Sequence, residues 1–377
     1  MGIYDELGIQ PFINAYRPLT RLGGATLPPQ VIEAMRQASL QNVDMRALQR
    51  KVGARIAAMT GNEAAYVSCG AASGITLAVA ACMAGTNTEI AERLPNSMGL
   101  KNKVIMHRCE RGYKSDVAIS NAGALIVDIG TAEGSEEGDL RAGIDDCTAA
   151  IFVHDAAPRG QLPIEKVIAI ARTKEIPVLV DAAFSVPPIE TLWKFTRDMG
   201  ADAVFVSGGK GLCGPQSTGL VLGKRQIVEG CAFHGSPNDR IGRGMKVGKE
   251  ELAGIYVAVK LALERDDRKD RAAMLARLDR IIAYVKDMPG VLRRVVGGPR
   301  ASLSFDRNIY DLTPEDARQW LLRTDPSIYV EPASDGIIIS TECLDEQYVD
   351  VVGRQIRTML IERVRLPGSK TSLSPLY

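Results

Sequence analysis

The chain has 377 residues, 46% of them hydrophobic and 24% charged, enough for one large domain and a smaller one. Its 46 Lys and Arg stand against 45 Asp and Glu, and this balance excludes a bulk field for holding nucleic acid or an anionic membrane. Three histidines at no helical spacing argue against a zinc site, and seven cysteines without a C-x-x-C pair read as reduced thiols of a cytoplasmic protein.

The opening residues, MGIYDELGIQPF, carry no basic segment followed by an apolar core, so no targeting signal is expected, and 1–25 reads as an N-terminal arm. Seven short apolar runs follow: AAYVS at 64–68, VIM at 104–106, ALIVDI at 124–129, AAIFVH at 149–154, PVLVD at 177–181, AVFVS at 203–207 and TGLVL at 218–222. Helical patterns such as PIEKVIAIARTKE separate many of them. The alternation predicts an α/β large domain over 26–250, built on a mostly parallel seven-stranded sheet covered on both faces. The last two runs are too close for a crossover helix, so one antiparallel member is expected.

The uncharged stretch CGAASGITLAVAACMAG at 69–85 approaches membrane-spanning length, but its Gly, Ala and Ser fit a helix buried within the protein, and no membrane partner is expected. From about 248, KEELAGIYVAVKLALERDDRKDRAAMLARLDRIIAYVKDM predicts one long amphipathic helix, with ERDDRKDR as a solvated face. Short strands (ASLSF, GIIIST) and a final helix over about 345–363 complete a connecting helix and small α+β domain at 251–377. The tail LPGSKTSLSPLY reads as loosely ordered.

Chemistry centres on VFVSGGKGLCGPQSTG. A phosphate-binding P-loop needs G-x-x-x-x-G-K-[ST]; here 204 is Val and 211 is Gly, so both ends fail. CGAASG after the first strand likewise lacks G-x-G-x-x-G. Asp181 ends one strand and Lys210 follows the next, 210 − 181 = 29 residues on, so both emerge at the carboxyl edge of the sheet, where open α/β folds bind ligands. A lysine that forms a Schiff base and an acid that pairs with a pyridinium nitrogen are what pyridoxal 5'-phosphate requires. The Gly-rich turn opening a helix at Gly70, Ala71 and Ala72 offers free amides to its phosphate, with Ser68, Ser73 and Ser207 as hydroxyl donors. The glycines flanking Lys210 are expected to let the turn approach a flat ring. His107, at a strand end, either stacks on that ring or is a structural histidine, and Tyr113 is a weaker case. In the loop 233–248, His234, Arg240, Arg243 and Lys246 are placed to meet an anionic substrate or a neighbouring subunit.

At INAYRPLTRLGG, YVSCGAASGITLA, HRCERGYKSDVAISNAGA, VDAAFSVPP, SGGKGLCGPQSTGLVLG and GRGMKVGKEELAGI the sequence resembles the selenocysteine-synthase-like branch of fold type I pyridoxal-phosphate enzymes. Within it, the D-glucosaminate-6-phosphate ammonia-lyase group is most similar. The resemblance implies an aspartate-aminotransferase-like fold, Lys210 as the cofactor lysine, Asp181 as the partner of the ring nitrogen, and Ser68, Gly70, Ala71 and Ser207 near the phosphate. It further implies a homodimer or larger homo-oligomer, and a lyase that releases a 2-keto acid and ammonia from an amino acid or amino sugar acid. A racemase or epimerase, or a ligand-binding protein without turnover, would use the same two residues. The tRNA-binding region that precedes the core in selenocysteine synthases has no counterpart before residue 10, so action on aminoacyl-tRNA is not expected. Phe184, Ser185, His154 and Asp155 depart from the group's pattern.

Overall fold

The computed structural model describes residues 2–111, 115–155 and 160–365. Tyr113 and the tail from 366 lie outside them. Gly23–Arg265 form one compact unit, and the described residues up to Leu22 and from Asp266 form a second.

The first unit is built on seven strands: β1 (Ala64–Ser68), β2 (Lys103–His107), β3 (Leu125–Ile129), β4 (Thr148–His154), β5 (Val178–Asp181), β6 (Ala203–Ser207) and β7 (Gly219–Gly223). They are ordered β1-β7-β6-β5-β4-β2-β3. Pairing is parallel among β6, β5, β4, β2 and β3, and antiparallel on both sides of β7, so β7 is the reversed member expected from its spacing.

Alternate residues supply two cores. Val67, Ile151, Val153, Val180, Val204, Val206 and Leu222 face one side, with the helices α1 (Pro29–Ser39), α2 (Met45–Thr60) and α5 (Ile164–Arg172) contributing Val31, Ile56 and Val167. Tyr66, Met106, Phe152, Leu179, Phe205 and Val221 face the other, against α3 (Ala71–Ala84) and α6 (Arg225–His234). Each such side chain, fully buried, is worth about 1.5–3 kcal/mol, so a one-residue slip that turned a strand over would be prohibitive. The stretch at 69–85 is the buried helix α3, and among the described residues no helix is long and apolar enough to cross a membrane. Between α3 and α5 lies the short α4 (Asp116–Asn121).

The long helix expected from 248 is two helices, α7 (Lys249–Glu264) and α8 (Asp267–Ala283). Arg265 is extended, and the Asp266 carboxylate accepts the amides of Arg268 and Lys269, starting a new helix where the charge pattern alone suggested continuity.

In the second unit, an antiparallel sheet runs in the order Glu331–Pro332, Gly336–Ser340, Arg300–Phe305, Val291–Val295. Ala301, Leu303 and Phe305 point inward to meet Ile281, Leu321 and Ile356 of the flanking helices. Ile13–Asn14 pairs in parallel with Ile328–Tyr329, and Ile13 and Ala15 are buried in this core.

Candidate functional site

β5 and β6 are neighbours, with Asp181 opposite Phe205 on one side and opposite His154 of β4 on the other. Asp181 and the turn carrying Lys210 therefore leave the sheet side by side at its carboxyl edge. The Asp181 side chain is only 14% exposed. Its Oδ1 accepts the Ala183 amide at 2.9 Å, its Oδ2 accepts the Ser115 hydroxyl at 3.0 Å, and His154 Nδ1 lies 3.5 Å from Oδ2. These donors fix the orientation of the carboxylate at the sheet edge. Burial holds the His154 pKa down, against the pull of Asp181, so the imidazole is neutral at pH 7.

Lys210 stands in a turn woven from backbone. Gly208 donates to the Thr218 carbonyl at 2.8 Å, Gly214 to that of Gly208 at 2.8 Å, and Cys213 to that of Lys210 at 2.9 Å. Arg265 Nη2 adds a hydrogen bond to the Gly211 carbonyl at 2.8 Å. A methyl group on Gly208 would overlap the Thr218 hydroxyl, on Gly209 the Gln216 backbone, and on Gly211 the Val186 carbonyl. The glycines thus allow the turn to fold on its own return strand and on 186–187. The lysine side chain leaves this turn, and its Nζ sits 3.0 Å from the centroid of the half-exposed Phe184 ring, a cation–π contact.

The helix α3 starts without a side-chain cap. Gly70, its N-cap, has φ +98°, a conformation that favours glycine, and a methyl group there would meet nothing within 4 Å. The first amides, from Gly70 to Ala72, are therefore free of intrahelical acceptors and border open space at the positive end of a fourteen-residue helix. Register explains how they come near the lysine turn: Gly219 pairs with Ser68 on one side and with Ser207 on the other. A methyl on Gly219 would collide with Ala71 N and Gly70 C, so only glycine lets the helix start cross β7 at this level. Ser207 keeps a partly exposed position there. Ser68 does not: it is buried and its hydroxyl donates to the Gly70 carbonyl at 2.8 Å, shaping the turn rather than facing a ligand.

His107 is fully buried, with Nδ1 2.5 Å from Ser135 Oγ, and its pKa is lowered by burial to about 4. Of the two readings of this residue, the structural one fits, because no ring face is left for a ligand. His234 is likewise enclosed, with Nε2 3.0 Å from the Gly85 carbonyl. The Arg240 guanidinium lies 4.2 Å over the Phe233 ring and 3.7 Å from Glu92, which occupies it. Arg243 pairs with Asp239 at 3.1 Å and, with Lys246 and Gln49, lines a cavity of about 490 Å³ whose lining includes neither Lys210 nor Asp181. Sequence reasoning passed over Ser115, which orients Asp181, and the buried Glu110. A serine ahead of a short helix and a glutamate among loop charges carry no signal of their own.

A phosphorylated pyridine aldehyde asks for an amine, a fixed carboxylate and a set of free amides with room before them. Lys210, Asp181 and the start of α3 supply all three, with open space beside Gly70, so pyridoxal 5'-phosphate fits the residues present. No cluster of metal-binding side chains occurs among the described residues.

A sequence profile of the L-seryl-tRNA selenium transferase family, SelA, matches residues 19–303. Among individual proteins, the 5'-C-glycyluridine monooxygenase-decarboxylase of Streptomyces sp is 33% identical over 299 residues, 77% of this chain and 73% of that protein. The D-glucosaminate-6-phosphate ammonia lyase of Salmonella typhimurium is 31% identical over 264 residues, 68% and 69% of the two chains. An L-seryl-tRNA(Sec) selenium transferase of Carboxydothermus hydrogenoformans is 26% identical over 275 residues, 66% of this chain but 54% of that one. In three dimensions, a D-glucosaminate-6-phosphate ammonia-lyase structure superposes with a TM-score of 0.82 at 24% identity, covering 96% of this chain and 99% of its own. A NifS-like protein gives 0.60 at 16% identity, over 93% and 100%. The fold is that of fold type I pyridoxal-phosphate enzymes, and the chain belongs to the L-seryl-tRNA selenium transferase (SelA) family.

Proposed function

We propose that this protein is a pyridoxal-phosphate-dependent carbon–nitrogen lyase that takes the Cα proton from an amino acid or amino sugar acid and expels a β-hydroxyl, giving a 2-keto acid and ammonia. The observation that carries the reading is the emergence of Asp181 and Lys210 from adjacent strand ends. When bound, the cofactor supplies an electron-accepting ring joined to the substrate amine. Lys210 is its covalent anchor and, once released, the base that moves the proton at substrate Cα. Asp181, fixed by Ser115 and the Ala183 amide, holds a proton on the ring nitrogen. The amides of Gly70, Ala71 and Ala72 bind the phosphate, with Ser207 beside them.

The 31%-identical ammonia lyase supports elimination as the outcome. The basic loop with Arg243 and Lys246 we assign to contact with a second copy of the chain, since its cavity is apart from Lys210; the protein is then a homo-oligomer, which light scattering would test. None of the seven cysteines is joined in a disulfide, in keeping with a cytoplasmic protein.

The decisive experiment is spectroscopic and chemical. The purified protein, given pyridoxal phosphate, is expected to show a visible absorption band that Lys210→Ala abolishes; a wild-type protein with no such band would sink the reading. Incubation with β-hydroxy and sugar amino acids is expected to release 2-keto acid and ammonia. Deuterium exchange at Cα without ammonia would make the protein a racemase or epimerase instead, and cofactor binding with neither would make it a binding protein.

A further inference from the structure

Beside Asp181 lies an acid that the proposed reaction does not use. Glu110 ends the short turn Arg108–Glu110 after β2 and is fully buried. Its Oε2 accepts the His154 backbone amide at 3.1 Å, while its Oε1 is enclosed without a hydrogen-bond partner. Among the described residues, a charge there would be answered by neutral donors, that amide and the Gln161 side chain. The titratable groups around it among the described residues supply no counter-charge. His154 on β4 is neutral, and Cys109 on the same turn is a thiol pushed up by burial. Arg111 is committed to Asp116 of α4 at 2.9 Å and to Asp128 of β3 at 3.1 Å. Asp181 on β5 is itself a carboxylate.

Two carboxylates close together in an enclosure do not both ionise readily, and the better-solvated one keeps the charge. Asp181 has two donors and some exposure; Glu110 has the His154 amide and the Gln161 side chain but no exposure. We propose that Glu110 is a positioning residue that holds a proton: it stays a neutral acid so that Asp181 carries the only negative charge of the pair, and its ionisation in alkali changes the field at Asp181. Burial, offset in part by the His154 amide and the Gln161 side chain and reinforced by Asp181, pushes its pKa up to about 8. The neutral state belongs to the chain itself; only its consequence for a ring nitrogen rests on the proposed function.

The test begins with the full chain without added cofactor. Infrared spectra of the wild type at pH 7 are expected to contain a protonated-carboxyl band that is lost by pH 9.5 and is missing from Glu110→Gln at both. The thermal midpoint of Glu110→Gln is expected to exceed that of the wild type by an amount that grows steadily from pH 5 to pH 8. Absence of the infrared band from the wild type at pH 7, or a midpoint difference independent of pH, would overturn the proposal. The infrared arm decides even if the variant folds poorly. In the cofactor-loaded protein, the visible band is expected to show a step near pH 8 that Glu110→Gln lacks. With the infrared band present, a wild type that shows no visible band at all refutes the proposed function and leaves the proton on Glu110 established.

Discussion

Gly219→Ala tests whether the start of α3 is an anion site. A methyl there falls inside contact distance of Ala71 N and Gly70 C, an overlap of about 1 Å with backbone that cannot swing aside. Overpacking of this kind costs about 1–3 kcal/mol of stability. It also tips the first amides of the helix away from Ser207. A hydrogen bond to a charged group is worth about 1.5–3 kcal/mol, so losing one such amide weakens phosphate binding by about 10- to 150-fold. Gly230→Ala is the matched control, because its methyl meets Ala81 in the later half of α3, at a comparable overlap and far along the helix from Gly70. Thermal melts and titration with pyridoxal phosphate and with unphosphorylated pyridoxal separate the effects. Both variants are expected to lose stability, and Gly219→Ala alone is expected to lose its preference for the phosphorylated form. If Gly219→Ala keeps that preference, or Gly230→Ala loses it equally, the helix start is not the phosphate site.

Glu110→Gln is expected to be stabilising: with a pKa near 8 folded and near 4.5 unfolded, the native state binds the extra proton between these values, and wild-type stability falls as pH rises through them. At about 1.4 kcal/mol per unit, the variant gains about 3 kcal/mol at pH 7 and almost nothing at pH 4, which denaturant titrations at the two pH values would measure. Asp181→Asn is expected to bind the cofactor yet lose about 100- to 1,000-fold in turnover, the scale of removing one preorganised electrostatic group, and near-normal kcat would refute its role. Phe184→Ala removes a cation–π contact worth about 0.5–1 kcal/mol and is expected to speed capture of pyridoxal phosphate by Lys210 about 2- to 5-fold in stopped-flow absorbance. Arg240→Ala is expected to leave KM within about two-fold, since its guanidinium is occupied by Phe233 and Glu92, and to cost about 0.5–1 kcal/mol in thermal stability.

Six of the seven strands were legible because they are buried along almost their whole length and so read as continuous apolar runs; β3, at the sheet edge with Leu125 exposed, was legible from its β-branched run alone. The reversal of β7 was legible because ten residues between two runs leave no room for a crossover helix. The placement of Asp181 and Lys210 followed from where two of those runs stop. What was hidden depends on partners distant in sequence. ERDDRKDR keeps a helical pattern, and only the backbone reveals that Asp266 caps a new helix within it. Ser68 and His107 sit at strand ends like ligand-binding residues, but the Gly70 carbonyl and Ser135 claim them. Glu110 reads as one more loop charge until β4 closes over it.

The glycines flanking Lys210 are each closed off: Gly208 by the Thr218 side chain, Gly209 by the Gln216 backbone and Gly211 by the Val186 carbonyl. The turn consequently has no slack. If Lys210 is to serve first as an anchor and then as a base, the whole excursion must be made by rotation about its four methylene groups, above a base that does not give. Any substrate must therefore bring its Cα to the lysine, and the distance it has to be carried is set by the length of one side chain.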